Sequence, residues 1–496
     1  MKKFILTILG LIWALSSHAQ PHKTYTPTPF PDRVILGWQG NPATSQSVNW
    51  RTDTSIVASV GAIYEADASP DFTKKATIVT ATTQSVIIEG QRVLYHSVHF
   101  KDLKPHTKYA YRVGAGEYWS EWFHFKTAQD KAAPFSFLYF GDAQNDIRSL
   151  WSRAIRGAYS AFPAVDFMTH AGDLINTSNA DWQWGEWFEA GGWITGMVPT
   201  LATPGNHEYF KDATGKAQVS MHWRPSFILP ENGPEKLKET AYYFDYQGVR
   251  FISLDSQGAL LDEKVMNEQA DWLEGMLKNN PNRWTVAMHH HPIYSTKSGR
   301  DNDEWRQKME PIYKKYHVDL VLQGHDHTYG RGLNMPLGKS RKYPDGPIYV
   351  VSVSGPKMYD IGLQDWMDRA ASNTQLYQII SINNNQLIYK SYTVTGELYD
   401  VFELNKDVKG KNRLIDQAPT LAPEKLALPE ALQKRFKPEE IEAYENRFKE
   451  YKARKEKKNL DEQEICSKLI HNGVAVHTRP YRGKDYFHAK SYFIIF

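Results

Sequence analysis

Cysteine is nearly missing from this 496-residue chain, where Cys466 stands alone. One thiol cannot close an internal disulfide, and no His- and Asn-rich context surrounds it. Neither a disulfide scaffold nor a cysteine nucleophile is therefore expected. An excess of one charge is missing as well. The 59 Lys and Arg against 56 Asp and Glu leave +3, a balance that argues neither for nor against nucleic acid or membrane surface as a partner, and no nucleic acid is indicated elsewhere in the sequence. Internal repeats are absent. Long apolar runs are confined to the N-terminus, where Lys2 and Lys3 precede Phe4 to Leu15 and Ser16-Ser17-His18-Ala19 follow. That run is shorter than the ~20 residues needed to span a bilayer. A positive start, an apolar centre and a small-residue exit predict a signal peptide over residues 1–19, cleaved before Gln20. The chain is then exported, to a periplasmic or extracellular space, with no membrane span after signal removal.

What is present can build large cores. Hydrophobic residues make up 41%, with 15 Trp, 28 Tyr and 22 Phe, so disorder is not expected. Three stretches differ in texture. Residues 31–128 carry short β-forming runs, such as Val34 to Trp38, Ser47 to Trp50, Val60 to Tyr64 and Tyr95 to Phe100, punctuated by Gly, Pro, Asn and Asp. This predicts an all-β sandwich. Residues 133–405 alternate apolar runs with amphipathic segments such as Leu150 to Ala161, the pattern of a layered α/β domain. Tyr399 to Phe402 reads as its last strand. Residues 406–496 form a Pro-containing linker, a charged and solvated helix from Ile441 to Glu464, and an unassigned remainder.

Five motifs follow one another through the α/β stretch: Gly141-Asp142-Ala143-Gln144, Gly172-Asp173-Leu174-Ile175-Asn176, Gly205-Asn206-His207-Glu208, His289-His290-His291-Pro292 and Gly324-His325-Asp326-His327. Four of them come after an apolar run, which puts their polar residues on loops at strand ends. Singly, each motif is weak: a Gly-Asp pair is usually a turn and a buried His is usually a core residue. Together and in order they describe one site. Carboxylate, amide and imidazole donors without thiolate suit Zn, Mn or Fe. Two such cations a few Å apart repel unless an anion lies between them, and Asp173 is the natural bridge. A metal-bridging hydroxide could then attack phosphorus in line.

The set resembles the calcineurin-like metallophosphoesterase superfamily, and within it the bacterial purple acid phosphatase-like branch. The likeness extends from Pro31 to Leu404. It includes a fibronectin type III-like segment around Leu103 to Gly114, Leu229-Pro230-Glu231-Asn232-Gly233-Pro234, Leu322 to Tyr329 and Gly396-Glu397-Leu398-Tyr399-Asp400. The resemblance implies a multidomain fold: an N-terminal all-β sandwich with Trp50 and Tyr111 in its core, an α/β metallophosphoesterase domain of two mixed β-sheets flanked by helices, then a helical tail. It implies a first metal on Asp142, Asp173 and His327, and a second on Asp173, Asn206, His290 and His325. His207 would stabilise phosphoryl oxygens or protonate the leaving group.

Two departures from the family pattern matter. Asn176 stands where purple acid phosphatases have a tyrosine ligand, which argues against a ferric, purple centre. Gln144 stands where many non-purple relatives have a His ligand, so its amide either ligates or hydrogen-bonds just outside the metals. In the triple His, the family pattern points to His290, while the Val286-Ala287-Met288-His289 spacing alone points to His289. His290 is preferred, with His289 in the core and His291 outside the ligand set. Arg300 and Arg331 are candidates for phosphate oxygens, because a guanidinium fork matches them. Trp223, Tyr209 and Tyr329 are candidates for the pocket lining.

The expected function is an exported phosphomonoesterase with two divalent or trivalent metal ions (Fe, Zn or Mn) acting on small phosphate esters. A phosphodiesterase or nucleotide diphosphatase using the same site is the alternative. A non-catalytic exported binding protein, its α/β domain a relic, is the third reading. The oligomeric state is left open.

Overall fold

The computed structural model of the protein describes residues 25–334, 342–471, 476–477 and 494–495, with side chains to residue 457. The signal peptide expected over residues 1–19 and most of the unassigned remainder of the tail lie outside the described residues.

The first unit is a sandwich of two antiparallel sheets. One is ordered Asp32–Gly37, Gln46–Thr52, Gln91–Phe100, Thr82–Ile88. The other is ordered Thr77–Thr80, Val60–Glu65, Lys108–Ala115, Tyr118–Trp119, with Phe123–Lys126 also paired to Lys108–Ala115. Inward-facing Leu36, Val48, Trp50, Val98, Phe100, Tyr111 and Val113 fill the space between them. The unit is fastened to the rest of the chain by polar contacts. The Tyr111 hydroxyl donates to the Gly196 carbonyl at 2.6 Å, and the Asn49 amide donates to the Pro225 carbonyl at 3.0 Å.

Two seven-stranded sheets follow. The first runs Thr200–Ala202, Phe167–His170, Phe135–Phe140, Leu376–Asn383, Gln386–Thr393, Leu398–Lys406, Asn412–Asp416. The second runs Tyr242–Tyr246, Val249–Ser253, Trp284–His289, Leu320–Gln323, Ile348–Val351, Tyr329–Gly332, Met367–Ala371. Each holds a run of parallel strands joined to antiparallel ones. The runs are apolar on both faces because both faces are covered. Face to face, the sheets share an aromatic core. Phe137 stacks on Phe167 within its own sheet at 5.1 Å and meets Phe251 of the other edge-on at 5.1 Å. This is the expected α/β layering, with helices Glu263–Lys278 and Asp303–Lys315 packed through Met266, Leu273, Trp305 and Met309 against the second sheet's outer face.

The first sheet does not end near Leu404. Its edge strand is Asn412–Asp416, beyond the expected boundary. The charged helix also differs from expectation. It spans Pro438–His471, and one face is not solvated: Tyr444 and Tyr451 join the core on the second sheet, with Leu426, Leu428 and Leu432. Lys, Arg and Glu dominate its composition and hide two buried tyrosines spaced seven residues apart, two turns along one face.

Arg331 is a correction. It was expected to reach phosphate, but it is fully buried. Nε and Nη2 donate to Asp400, and Nη1 and Nη2 to Asp416, at 2.8–3.0 Å. The reason is strand periodicity: residues 329 and 331 of Tyr329–Gly332 share a face, and the Tyr329 hydroxyl also donates to Asp400 at 2.6 Å. Tyr329 and Trp223, expected to line the pocket, are likewise wholly buried. Removing one partner of a buried ion pair strands the other charge. Arg331→Met should therefore lower unfolding free energy by about 3–5 kcal/mol, read by denaturant titration, while leaving KM for a phosphate ester unchanged. A raised KM with unchanged stability would restore the phosphate-binding role.

Candidate metal centre

All five motifs sit at the carboxyl ends of parallel strands, where an α/β sheet offers a crevice. Asp142 follows Phe135–Phe140 and Asp173 follows Phe167–His170. Asn206 and His207 follow Thr200–Ala202, a strand too short to stand out in the sequence. His290 follows Trp284–His289, and His325 and His327 follow Leu320–Gln323. The first three loops come from one sheet and the last two from the other, so the site bridges both edges.

The loops approach closely because glycine precedes the functional residue. A Cβ on Gly205 would stand 2.2 Å from the Asp173 Oδ1, and one on Gly324 would stand 2.3 Å from the Asp142 Oδ1. Three of the polar residues also hold left-handed backbone: Asp173 at φ 52°, His325 at 74° and His327 at 50°. Such conformations cost of order 1–3 kcal/mol each and persist where surrounding structure imposes them. Two buried carboxylates impose them here. Glu208 accepts the backbone N–H groups of Asp173 and Leu174 at 2.8 Å and of Gly205 at 2.6 Å. Asp326 accepts from the Ser295 hydroxyl and the Thr296 N–H at 2.6 Å and from Arg300 Nη1 at 2.8 Å. Sequence reading gave neither residue a role, although both lie inside the motifs.

Between the loops, acceptor atoms converge. His290 Nδ1–H donates to the Ala171 carbonyl at 2.8 Å, which leaves Nε2 pointing inward. That Nε2 stands 3.2 Å from Asp173 Oδ2, 3.1 Å from Asn206 Oδ1 and 3.0 Å from His325 Nδ1. His327 is built alike: Nδ1–H donates to the Lys357 carbonyl at 3.1 Å, and Nε2 lies 3.3 Å from Asp142 Oδ2. A carbonyl or carboxylate holding the outer imidazole N–H is the usual support of a metal-binding histidine. The Asp142 Oδ2 atom is buried without a hydrogen-bond partner among the described residues. Gln144 Nε2 donates to Asp173 Oδ2 at 2.8 Å and lies 3.1 Å from His327 Nε2. Ligand-capable atoms of Asp142, Asp173 and His290 lie within 4.8 Å of one another, as do those of His290, His291 and His325.

The charges are unbalanced as they stand. Burial disfavours the charged form of His290, yet Asp173 and Asp142 facing it drive its pKa up, to about 9. Burial, reinforced by the Asp173 charge, pushes the Asp142 carboxyl up. Burial works against the charged Asp173 too, but His290 and His207 hold it below the usual carboxylate range. Burial, with neighbouring cations and imidazoles, keeps His325 and His327 far below the ordinary histidine value. They are neutral, the form that binds a metal.

The other candidates fall on both sides of the site boundary. His289 faces the core, its Nδ1 beside the His291 carbonyl at 2.8 Å and its ring against Trp305 and Tyr313. His291 stands nearer the centre than expected, 4.3 Å ring to ring from His325, with Nδ1 2.9 Å from the Ser256 hydroxyl. His207 donates Nδ1–H to the Asn176 carbonyl at 2.5 Å and turns Nε2 toward Asp173, 3.9 Å away. Asn176 thus meets the site through its backbone. Arg300 reaches the site's edge, with Nη1 on the His325 carbonyl at 2.9 Å. Tyr209 is tied to Asp255 at 2.5 Å.

Comparison with known proteins gives the family. Residues 31–127 match "Purple acid Phosphatase, N-terminal domain" and residues 135–329 match "Calcineurin-like phosphoesterase". The chain is a purple acid phosphatase-like metallophosphoesterase. It is 27% identical over 376 residues to "Probable purple acid phosphatase 20" of Arabidopsis thaliana, covering 73% of this chain and 82% of that protein. To "Acid phosphatase type 7" of Homo sapiens it is 25% identical over 369 residues, covering 66% and 78%. Its fold matches purple acid phosphatase PPD1 from yellow lupin (Lupinus luteus) seeds with a TM-score of 0.64 at 19% identity, over 77% of this chain and 75% of that one. This metallophosphoesterase is a metal-dependent phosphatase whose grouped Asp and His residues suit a binuclear centre.

Glu208 touches three N–H groups and no inward-facing atom of the centre. Glu208→Gln turns an N–H toward one of those donors and should weaken metal binding about 10–100-fold. Titration against a competing chelator checks this. Unchanged affinity would show that Asp173 is held by other means.

Proposed function

We propose that the chain is an exported phosphomonoesterase with one metal on Asp142, Gln144, Asp173 and His327 and a second on Asp173, Asn206, His290 and His325. The observation that carries the reading is the convergence of acceptor atoms around Asp173 with the orphaned Asp142 Oδ2 among them. Buried acceptors facing one another cost free energy unless a donor or cation lies between them. The donor set fits Zn, Mn or Fe.

When bound, the metals supply a water acidic enough to be a nucleophile near neutral pH and positive charge opposite the transferring phosphoryl. The chain's own residues do the rest. Asp173 lies between the two ligand groups, where its carboxylate would hold both cations. Gln144 would help hold the first metal with its amide oxygen turned inward, the reverse of the present orientation in which its N–H₂ group faces Asp173 and His327. His207 has its Nδ1 proton fixed on the Asn176 carbonyl, so Nε2 is the atom that orients a phosphoryl oxygen or passes a proton to the leaving alkoxide. Asn206 adds a side-chain amide beside the transferred group. Arg300, with Nη2 and Nε unpartnered among the described residues, offers donors to phosphoryl oxygens. Asn176 brings no phenolate, which supports a colourless metal pair.

Export is supported by the Lys2-Lys3 start, the apolar run and the exit at Ala19. Among the described residues no helix is long and apolar enough to cross a membrane. N-terminal sequencing of protein recovered outside the cytoplasm should begin at Gln20, and an intact Met1 would refute cleavage.

Activity is tested by hydrolysis of p-nitrophenyl phosphate and bis(p-nitrophenyl) phosphate across added Zn, Mn and Fe. The monoester should be the better substrate, and Asp173→Asn should lose more than about a hundredfold, beyond what outer partners of a metal site contribute. Hydrolysis of the diester alone would replace this reading with a phosphodiesterase. No tightly bound metal and no activity with either ester would favour a binding protein.

A further inference from the structure

A third tie between the β-sandwich and the rest of the chain is ionic, and it gathers on Asp181. That residue opens the helix Asp181–Gly191, whose N-cap, Ala180, has no side chain able to accept a backbone N–H. The sandwich supplies what this helix end lacks. Glu89, in the turn after Thr82–Ile88, accepts the Asp181 N–H at 3.1 Å, a carboxylate where a helix N-terminus favours one. Arg33 donates from Nη2 to the Asp181 carbonyl at 3.2 Å and holds Nη1 2.8 Å from Asp181 Oδ1. Arg51 Nη1 donates to both carboxylate oxygens at 3.2–3.3 Å. Arg33 stands where the pairing of Asp32–Gly37 shifts register, on left-handed backbone at φ 53°. Both guanidinium side chains are buried. The N–H, the carbonyl and the carboxylate of Asp181 each meet a sandwich residue.

In the same helical turn, buried Gln183 reaches the loop that follows Asp173. Its Oε1 accepts the backbone N–H groups of Asn176 and Thr177, both at 2.8 Å. The Thr177 N–H and the Asn176 carbonyl belong to one planar peptide unit, so an acceptor that fixes the N–H also fixes the direction of the carbonyl. That carbonyl takes the His207 Nδ1 proton at 2.5 Å. The path is continuous: sandwich residues on Asp181, Asp181 and Gln183 in one helical turn, Gln183 on the peptide, the peptide on His207. Hydrogen bonds linked in this way polarise one another. Buried ion pairs add little net stability, so the Arg33–Arg51–Asp181 cluster is better explained by the geometry it imposes.

We propose that the β-sandwich orients His207 for the reaction, acting through Asp181 and Gln183. This rests on the reading of His207 as the group that orients a phosphoryl oxygen or protonates the leaving oxygen. Gln183 is a positioning residue, as are Glu89, Arg33 and Arg51 behind it. With the 176–177 peptide held, His207 Nδ1–H has a fixed acceptor and Nε2 a fixed direction. With the peptide released, both are lost, and a small misplacement of a reacting group is felt strongly in rate. What matters at position 183 is an oxygen that accepts two N–H groups. A carboxylate there does the same work as the amide, and an apolar side chain does not.

The test is a double-mutant cycle on the metal-loaded full chain, with metal content measured for every variant. The substrate is phenyl phosphate, whose leaving oxygen needs a proton more than that of p-nitrophenyl phosphate. Gln183→Leu should lower kcat about tenfold, a part of what a positioned acid or base contributes, with KM changed less than about twofold. In the His207→Ala background the same substitution should change kcat less than about twofold, because no imidazole is left to orient. Gln183→Glu should restore most of the loss. Glu89→Ala, at an exposed turn, should lower kcat about two- to threefold, the scale of one exposed charged contact, and again only where His207 is present. It reads the same path if Gln183→Leu does not fold. Losses that are the same with and without His207, or no loss from either substitution, would overturn the path. Absence of metal-dependent phenyl phosphate hydrolysis in the unmodified chain, or His207→Ala without effect, would instead overturn the reading beneath it.

Discussion

An electrostatic deficit organises this molecule. Around Asp173 the chain aims carboxylate oxygens, an amide oxygen and imidazole nitrogens at one another, with Asp142, Asp173, His290 and His327 buried and Asn206 and His325 partly so. Nothing else in the fold requires that arrangement. Close approach through Gly205 and Gly324 and left-handed backbone at Asp173, His325 and His327 all work against folding. They are held by the stacked sheets, by Glu208, whose carboxylate collects N–H groups of the Asp173 turn, and by Asp326, whose carboxylate ties the His325–His327 loop to Ser295 and Thr296. The cost falls on the scaffold, and the return is a fixed cradle for positive charge.

Two sheets are needed because the donors divide between them. Asp142, Asp173 and Asn206 hang from one, and His290, His325 and His327 from the other. Their relative position is set by the aromatic layer between, where Phe137, Phe167 and Phe251 interlock. Interiors packed at this density do not slide. Metal geometry thus depends on rings well behind the site, and the buried Arg331–Asp400–Asp416 cluster fixes the same sheets near their far strands.

The sequence made much of this readable, for definable reasons. Apolar runs ending in Gly-Asp or Gly-His announced strand ends, and order along the chain grouped them. Thr200–Ala202 escaped notice because three residues are too few for a pattern. Glu208 and Asp326 escaped because a carboxylate inside a metal motif looks like a ligand or a turn residue, and only geometry shows it receiving backbone N–H groups. Arg331 was misread because a guanidinium near a motif invites a phosphate. Its true partner, Asp400, is 69 residues away in sequence and belongs to the other sheet, brought close only by the packing of one sheet on the other. The tail helix was misjudged because its composition averages over faces.

Protonation ties the scaffold to its cargo. In the chain by itself, His290 is driven toward its charged form by Asp173 and Asp142, and the Asp142 carboxyl is pushed up by burial. These are the changes that supply positive charge or remove negative charge where a cation belongs. Metal entry must displace those protons, so loading and proton release are one equilibrium. His325 and His327, kept neutral by burial and nearby positive charge, need give up no proton. Lys357, whose carbonyl holds the outer His327 N–H, contributes to that neutrality through its charge. The Lys357 charge thus keeps the neighbouring imidazole in the form that ligates.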